Sequence, residues 1–337
     1  MKNILSILIA CLAFSLAHGQ TAESYYREGL KKDSLNNPKE AIDLYSKALA
    51  ADAEFIKAYA ARGNAKMKLN DYEGAMSDLN QCIKMNPQYA YAYACKGMVK
   101  VRMRNDATGI ADITRAIALN PDDEHFYEMR GNAKIRLRDY AGAIPDLDAV
   151  IQANQGYAGA YMDRAIARLR TGKLEGAMED VNRSIELRPE NSRAYNTRGN
   201  IKDAMGKLDA AIADFTHAIT LNRSDFESYS NRGNSRSKNG DNPGAIEDFE
   251  AAVRLNPKSP EPYFNMGLAH IELKEYKSAA NDFSNVIRLR PEDAEAYTQR
   301  GLATVLREDI SNGCIDLKKA KEMGDVDAAG YFKQYCK

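Results

Sequence analysis

Tryptophan is absent from this chain of 337 residues, and histidine occurs only four times, as His18, His125, His217 and His270. None of these histidines stands at ligand spacing from another, so an imidazole metal centre or a histidine-based acid–base pair has nothing to build on. A charge of one sign is not in surplus either: Lys+Arg and Asp+Glu both number 47. That balance removes the basic excess that nucleic acid or an anionic membrane would require. After residue 20 no apolar run approaches the roughly 18 residues needed to span a membrane. Glycine-rich phosphate loops, CxxC pairs and nucleophile elbows are missing as well. No enzymatic activity, cofactor or metal is therefore expected.

The first segment differs from the rest. Met1–Gln20, "MKNILSILIACLAFSLAHGQ", has one lysine, an apolar run from Ile4 to Ala17 and small residues before Gln20. It reads as a secretory signal over residues 1–19, cleaved after Gly19. A rival reading rests on Leu8-Ile9-Ala10-Cys11, which resembles a bacterial lipobox and would make a lipidated Cys11 the first residue. The apolar "LAFSLA" that follows is unlike the polar tether usual after a lipidated cysteine. Both readings export the chain, to a bacterial periplasm or beyond in the first case and to an outer-membrane anchor in the second.

What the rest of the sequence has in abundance is repetition. From Ala22 to Asp327 it repeats every 34 residues, in nine units without insertion or deletion. Tyrosine stands at 25, 59, 93, 127, 161, 195, 229, 263 and 297, nearly half of the 19 tyrosines. Four residues on comes a column of glycine, with Ala165 the one substitution; twelve further on comes alanine or glycine, from Ala41 to Gly313. A fourth column is apolar, from Tyr45 and Leu79 to Phe283 and Leu317. Apolar and small residues recurring three and four apart in each half, split by "NDY", "RDY" or "GKL", describe two short helices joined by a turn. Proline at 87, 121, 189, 257 and 291 stops the second helix in five units. Small columns let the paired helices approach closely. One such hairpin cannot bury its own apolar face, so neighbours must stack.

This pattern resembles the tetratricopeptide repeat family, over Ala22–Asp327. The tyrosine column stands where that family usually has a large aromatic residue, and the small columns and the prolines fall on its other signature positions. The resemblance implies an all-α solenoid, nine helix-turn-helix repeats wound into a right-handed superhelix. The units are 22–55, 56–89, 90–123, 124–157, 158–191, 192–225, 226–259, 260–293 and 294–327, closed by a capping helix at 328–337.

Within this frame the motif "RGNAK", at Arg62–Lys66 and again at Arg130–Lys134, can be read geometrically. At 100° per residue the arginine and lysine, four apart, share one face of the first helix, and the asparagine points to the opposite side. The basic face meets the second helix, where each of units two to nine has an aspartate one residue before the apolar column. The expected outcome is a structural ladder: Arg62 and Lys66 with Asp78, Arg130 and Lys134 with Asp146, Arg198 and Lys202 with Asp214. By resemblance, the other side is a concave groove that holds partners. Its candidates are Asn64, Met98, Asn132, Met162, Asn196, Asn200, Asn231, Asn234, Lys238, Phe264 and Leu268. Amides suit the backbone of an extended peptide because they both donate and accept, and methionines adapt to varied apolar side chains. Asn200 and Asn231 match the two asparagines of the carboxylate clamp found in some family members. Asn196, Glu261 and Asn265 occupy its basic positions, which argues against a clamp.

Four cysteines follow the signal. Cys314 and Cys336 flank a turn at Gly324-Asp325 and are expected to bond across it; Cys82 and Cys95 flank another turn and either bond or simply pack. The functional expectation is an exported scaffold that takes an extended or helical segment of a protein partner in its groove. The second reading is a structural subunit of the cell envelope that self-associates.

Overall fold

A computed structural model of the chain describes residues 21–336. The expected signal segment and Cys11 lie outside the described residues. These form nineteen α-helices and no strand. The chain divides into two compact units, Met1–Gln155 and Gly156–Lys337.

The first unit contains α1 (Ala22–Ser34), α2 (Pro38–Ala51), α3 (Ile56–Lys68), α4 (Tyr72–Met85), α5 (Ala90–Arg102), α6 (Asp106–Leu119), α7 (Glu124–Arg136) and α8 (Tyr140–Ala153). They pair as four hairpins whose first helices begin 34 residues apart. The hairpin turn needs one residue in the left-handed region, and Asn36, Asn70, Arg104 and Arg138 supply it at φ 58, 63, 64 and 62°. Asparagine tolerates that conformation; arginine adopts it at some cost in strain. Helix α4 starts at the cap Asp71, whose carboxylate accepts from the Gly74 amide, and α8 starts likewise on Asp139 and Gly142. The small and apolar columns form the core: Ala41, Tyr45, Ala75, Leu79, Ile113, Ala143 and Leu147 are fully buried.

Cys82 and Cys95 are free thiols here, which corrects the bonded alternative. Both are core residues, packed with Leu79, Ala92 and Val99, and the Cys82 thiol faces the Ile56 carbonyl at 3.7 Å. Burial pushes both thiols up to about 12, so neither is a reactive thiolate at neutral pH.

The second unit contains α9 (Ala158–Arg170), α10 (Leu174–Leu187), α11 (Ser192–Ala204), α12 (Leu208–Leu221), α13 (Phe226–Lys238), α14 (Asn242–Leu255), α15 (Pro260–Glu272), α16 (Tyr276–Leu289), α17 (Ala294–Leu306), α18 (Ile310–Glu322) and α19 (Val326–Tyr335). Glycine takes the left-handed turn at 172, 206 and 240, and Lys274 and Glu308 take it afterwards. The closing helix α19 starts at Val326 rather than 328, because Asp325 caps it, accepting from the Ala328 amide. Ala328 is fully buried in one apolar cluster with Ala296, Tyr297 and Ala320, so α19 covers apolar surface of the preceding hairpin. Its far end brings Cys336 beside Cys314, with Cα atoms 5.7 Å apart.

Candidate functional site

The basic–acidic ladder accounts for one side of each first helix. In the first unit Arg62 and Lys66 reach Asp78 at 2.7 and 2.8 Å, and Arg130 and Lys134 reach Asp146 at 2.6 and 2.8 Å. In the second, Arg198 and Lys202 hold Asp214 at 2.8 and 2.6 Å, and Arg164–Asp180, Arg232–Asp248 and Arg300–Asp316 repeat the pattern. The aspartates are nearly buried; the Asp146 side chain is 3% exposed. Hydrogen bonding to Asp78, Asp214 and Asp316 raises the already high pKa of Arg62, Arg198 and Arg300. The eighth repeat departs from the pattern: Met266 replaces the arginine, and His270 Nδ1 meets Asp282 at 2.7 Å. That contact raises the His270 pKa, while burial raises that of the Asp282 carboxyl.

Two parts of the ladder were not foreseen. The arginine also reaches back to a hydroxyl or amide sixteen residues earlier, on the second helix of the preceding repeat. Arg62 donates to Ser46 at 3.0 Å, Arg130 to Thr114 at 3.2 Å, Arg198 to Asn182 at 3.1 Å and Arg232 to Thr216 at 3.0 Å. Each guanidinium also lies over the tyrosine three residues before it, 5.7 Å from the ring in Arg62 over Tyr59 and 5.3 Å in Arg198 over Tyr195. The tyrosine column is thus a cation–π floor for the arginines. A polar column at 46, 114, 182, 216 and 284 was the available signal, but one contact between different repeats cannot be read from a single repeat.

The opposite side of the first helices is uneven. In the second unit α9, α11, α13 and α15 line a cavity of about 860 Å³. Asn200, Asn231 and Asn234 are half-buried in its wall, with Arg170 at one side and Glu227 and Glu261 at another. The amides are coupled across repeats: Asn231 Nδ2 donates to Asn196 Oδ1 at 3.0 Å, and Asn265 Nδ2 donates to Asn234 Oδ1 at 2.7 Å. Asn196, 7% exposed, is therefore a support for Asn231. Each such bond leaves one atom of the half-buried amide, Asn231 Oδ1 and Asn234 Nδ2, without a partner among the described residues, and Asn200 keeps both. Asn265, set aside above as a departure from the clamp, belongs to this row.

Other expected groove residues lie elsewhere. Met162 is 3% exposed and packs with Ala165, Val181 and Ile201, so it is core. Its side chain is enclosed by α10 of its own hairpin and α11 of the next instead of facing the groove. Phe264 packs edge-on against Phe283, ring centroids 5.4 Å apart, and borders a smaller cavity with Glu295. Lys238 is exposed but is drawn away from the amides by Asp203, 2.6 Å distant. Leu268 is 37% exposed and does not line the amide cavity. In the first unit Met98 packs against the cluster of Val101, Ile113 and Phe126, and Asn132 is exposed. Asn64 lines a separate cavity there.

Known proteins agree with this architecture. Family models described as tetratricopeptide repeat match residues 56–89, 192–225 and 260–293, and 128–192, and one described as TPR repeat matches 233–274. The chain belongs to the tetratricopeptide repeat family. No curated protein sequence matches it. Among solved structures, a tetratricopeptide repeat protein from Parabacteroides merdae is 17% identical at a TM-score of 0.61, over 74% of this chain and 98% of that one. A chain of the APC/C hetero-tetramer Cut9-Hcn1 gives 14% and 0.58, over 94% of this chain and 76% of that one. The pilF protein of Pseudomonas aeruginosa gives 17% and 0.55, over 63% and 97%. At these identities the likeness is one of fold.

Proposed function

We propose that the protein is an exported scaffold for protein–protein interaction, and that its second unit holds an extended peptide segment in the amide-lined cavity. The observation that carries this reading is the set of half-buried amide atoms of Asn200, Asn231 and Asn234 around about 860 Å³ of space. An extended backbone offers unpaired N–H and C=O groups in alternation, whereas a helix satisfies its own. Amides able both to donate and to accept match the former. Pairing with Asn196 and Asn265 fixes two of the three before any ligand arrives, which lowers the entropy cost of binding.

The test is selection of extended peptides from a random display library, comparing the natural protein with an Asn200/Asn231/Asn234→Ala variant of unchanged helicity. At about 0.5–1.5 kcal/mol per lost hydrogen bond, the selected peptides should bind the variant at least roughly tenfold more weakly. Equal binding would remove the amide row from the site.

Export is part of the same proposal. Residues 1–19 act as a cleaved signal, and the neighbouring Cys314 and Cys336 form a disulfide in an oxidising compartment. Intact mass of the protein from its native source, before and after reduction and alkylation, reads both features together. A full-length mass, or alkylation of all four remaining cysteines without reduction, contradicts this part.

A further inference from the structure

Seven of the eight aspartates in the second-helix column, Asp78, Asp112, Asp146, Asp180, Asp214, Asp248 and Asp316, have a lysine or arginine at 2.6 or 2.7 Å. Those cations keep their charge well beyond neutral pH. Asp282 is the exception. Met266 stands where units two to seven and nine have arginine or lysine, and the contact with His270 Nδ1 at 2.7 Å is the only ion pair of Asp282 among the described residues. Imidazole is the one cation of the ladder whose charge changes between about pH 5 and 8.

The pair is enclosed, with the two side chains 13% and 10% exposed. The charged groups acting on the imidazole are Asp282 on α16, Glu275 in the turn between α15 and α16, 3.6 Å from His270 Nε2, and Glu250 on α14. On the flanking first helices the equivalent positions are Arg236, taken by Asp248 at 3.0 Å, and Thr304. Protonated His270 is therefore matched by carboxylates. Neutral His270 leaves the Asp282 carboxylate buried without a counter-charge, which is costly. The bond to Asp282 raises the His270 pKa above its ordinary 6.5. A raised histidine pKa adds stability that is fully present below about pH 6.5 and is lost as the pH rises through the folded value. Burial raises the Asp282 carboxyl, and a buried carboxyl also costs least when protonated, so both groups make the hairpin of α15 and α16 tightest in mild acid.

Helix α15 connects this pair to the amide cavity. Its first half places Glu261 and Asn265 in the cavity wall, and Asn265 donates to Asn234 at 2.7 Å. His270 is five residues further along the same helix. We infer that the amide cavity is pH-sensitive: the His270 imidazolium locks α15 to α16 through Asp282, and loss of its proton loosens the helix that carries Asn265. The inference rests on the cavity being the peptide site proposed above. Peptide then binds more tightly in mild acid than in mild alkali.

The experiment measures, at pH 6 and pH 9, the affinity of the full chain for a fluorescent peptide from the display selection, one without histidine, cysteine or a free α-amine. Binding should weaken roughly fivefold at pH 9, the low end of coupling between linked sites. His270→Lys, which repeats the lysine at 134, should hold the affinity constant over this range. Met266→Arg is a second variant with the same expectation, because Tyr263 stands three residues before it as Tyr229 does before Arg232. Hydrogen exchange of the α15 amides, corrected for the intrinsic rate, should show protection lost at pH 9 in the natural protein and kept in both variants. A pH-independent affinity of the natural protein, or an equal pH dependence in the variants, would overturn the inference and leave the peptide site standing. Failure to select any peptide, or peptides indifferent to Asn200/Asn231/Asn234→Ala, removes the site itself and the inference with it.

Discussion

Asp146→Ala is expected to destabilise the protein by about 3–5 kcal/mol, the cost of removing one partner from a buried ion pair. The side chain is 3% exposed and takes Arg130 at 2.6 Å and Lys134 at 2.8 Å. Without the carboxylate, two cations that are each 18% exposed remain against the second helix with no counter-charge. Arg130→Ala alone costs less, because Lys134 still neutralises Asp146, although the bond to Thr114 and the stacking over Tyr127 are lost. In the Asp146→Ala background, Arg130→Ala should add much less than it does alone, since it removes a charge already unpaired. Chemical denaturation gives the global values. Hydrogen exchange of the α7 and α8 amides shows whether the loss is local, as a repeat array of nearest-neighbour contacts allows. Strictly additive losses would mean that Arg130 and Asp146 do not act as a pair.

The second large effect concerns glycine. A Cβ placed on Gly97 would lie 2.5 Å from the Gly109 carbonyl oxygen and 2.6 Å from Ile113 Cγ1. A backbone atom cannot swing aside, so Gly97→Ala must push α5 and α6 apart, at roughly 1–3 kcal/mol or somewhat more. Gly131 occupies the same column in the next repeat. Its nearest contacts would be 3.4 Å, to Asp146 Cβ and Leu147 Cγ, an ordinary van der Waals distance. There alanine gains up to about 1 kcal/mol from reduced unfolded-state entropy and better helix propensity. Opposite shifts of the denaturation midpoint are expected from the same substitution in one column; shifts of the same sign and size would refute the packing difference.

These two glycines mark how far the sequence could be read. Gly63 and Gly131 sit in identical "RGNAK" copies, yet a Cβ would approach Leu79 Cγ to 2.9 Å at the first and nothing closer than 3.4 Å at the second. The helix facing Gly131 holds Pro145 in its interior, where its ring conflicts with the carbonyl four residues earlier. The repeat length, the helix pairs and the buried columns were legible because each depends on contacts within one 34-residue unit, and the period states them nine times. The ladder was legible for the same reason: Arg130 and Asp146 are sixteen residues apart in one hairpin.

Contacts between repeats were not. Arg62 reaching Ser46, Asn231 donating to Asn196 and Asn265 donating to Asn234 join side chains whose separation depends on how one hairpin rests on the next. Met162 shows the consequence: helical angle alone placed it in the groove, and the neighbouring Val181 and Ile201 bury it. Period and column follow from local chain geometry; cavities follow from the spacing of stacked hairpins, which side-chain volumes on several helices set together.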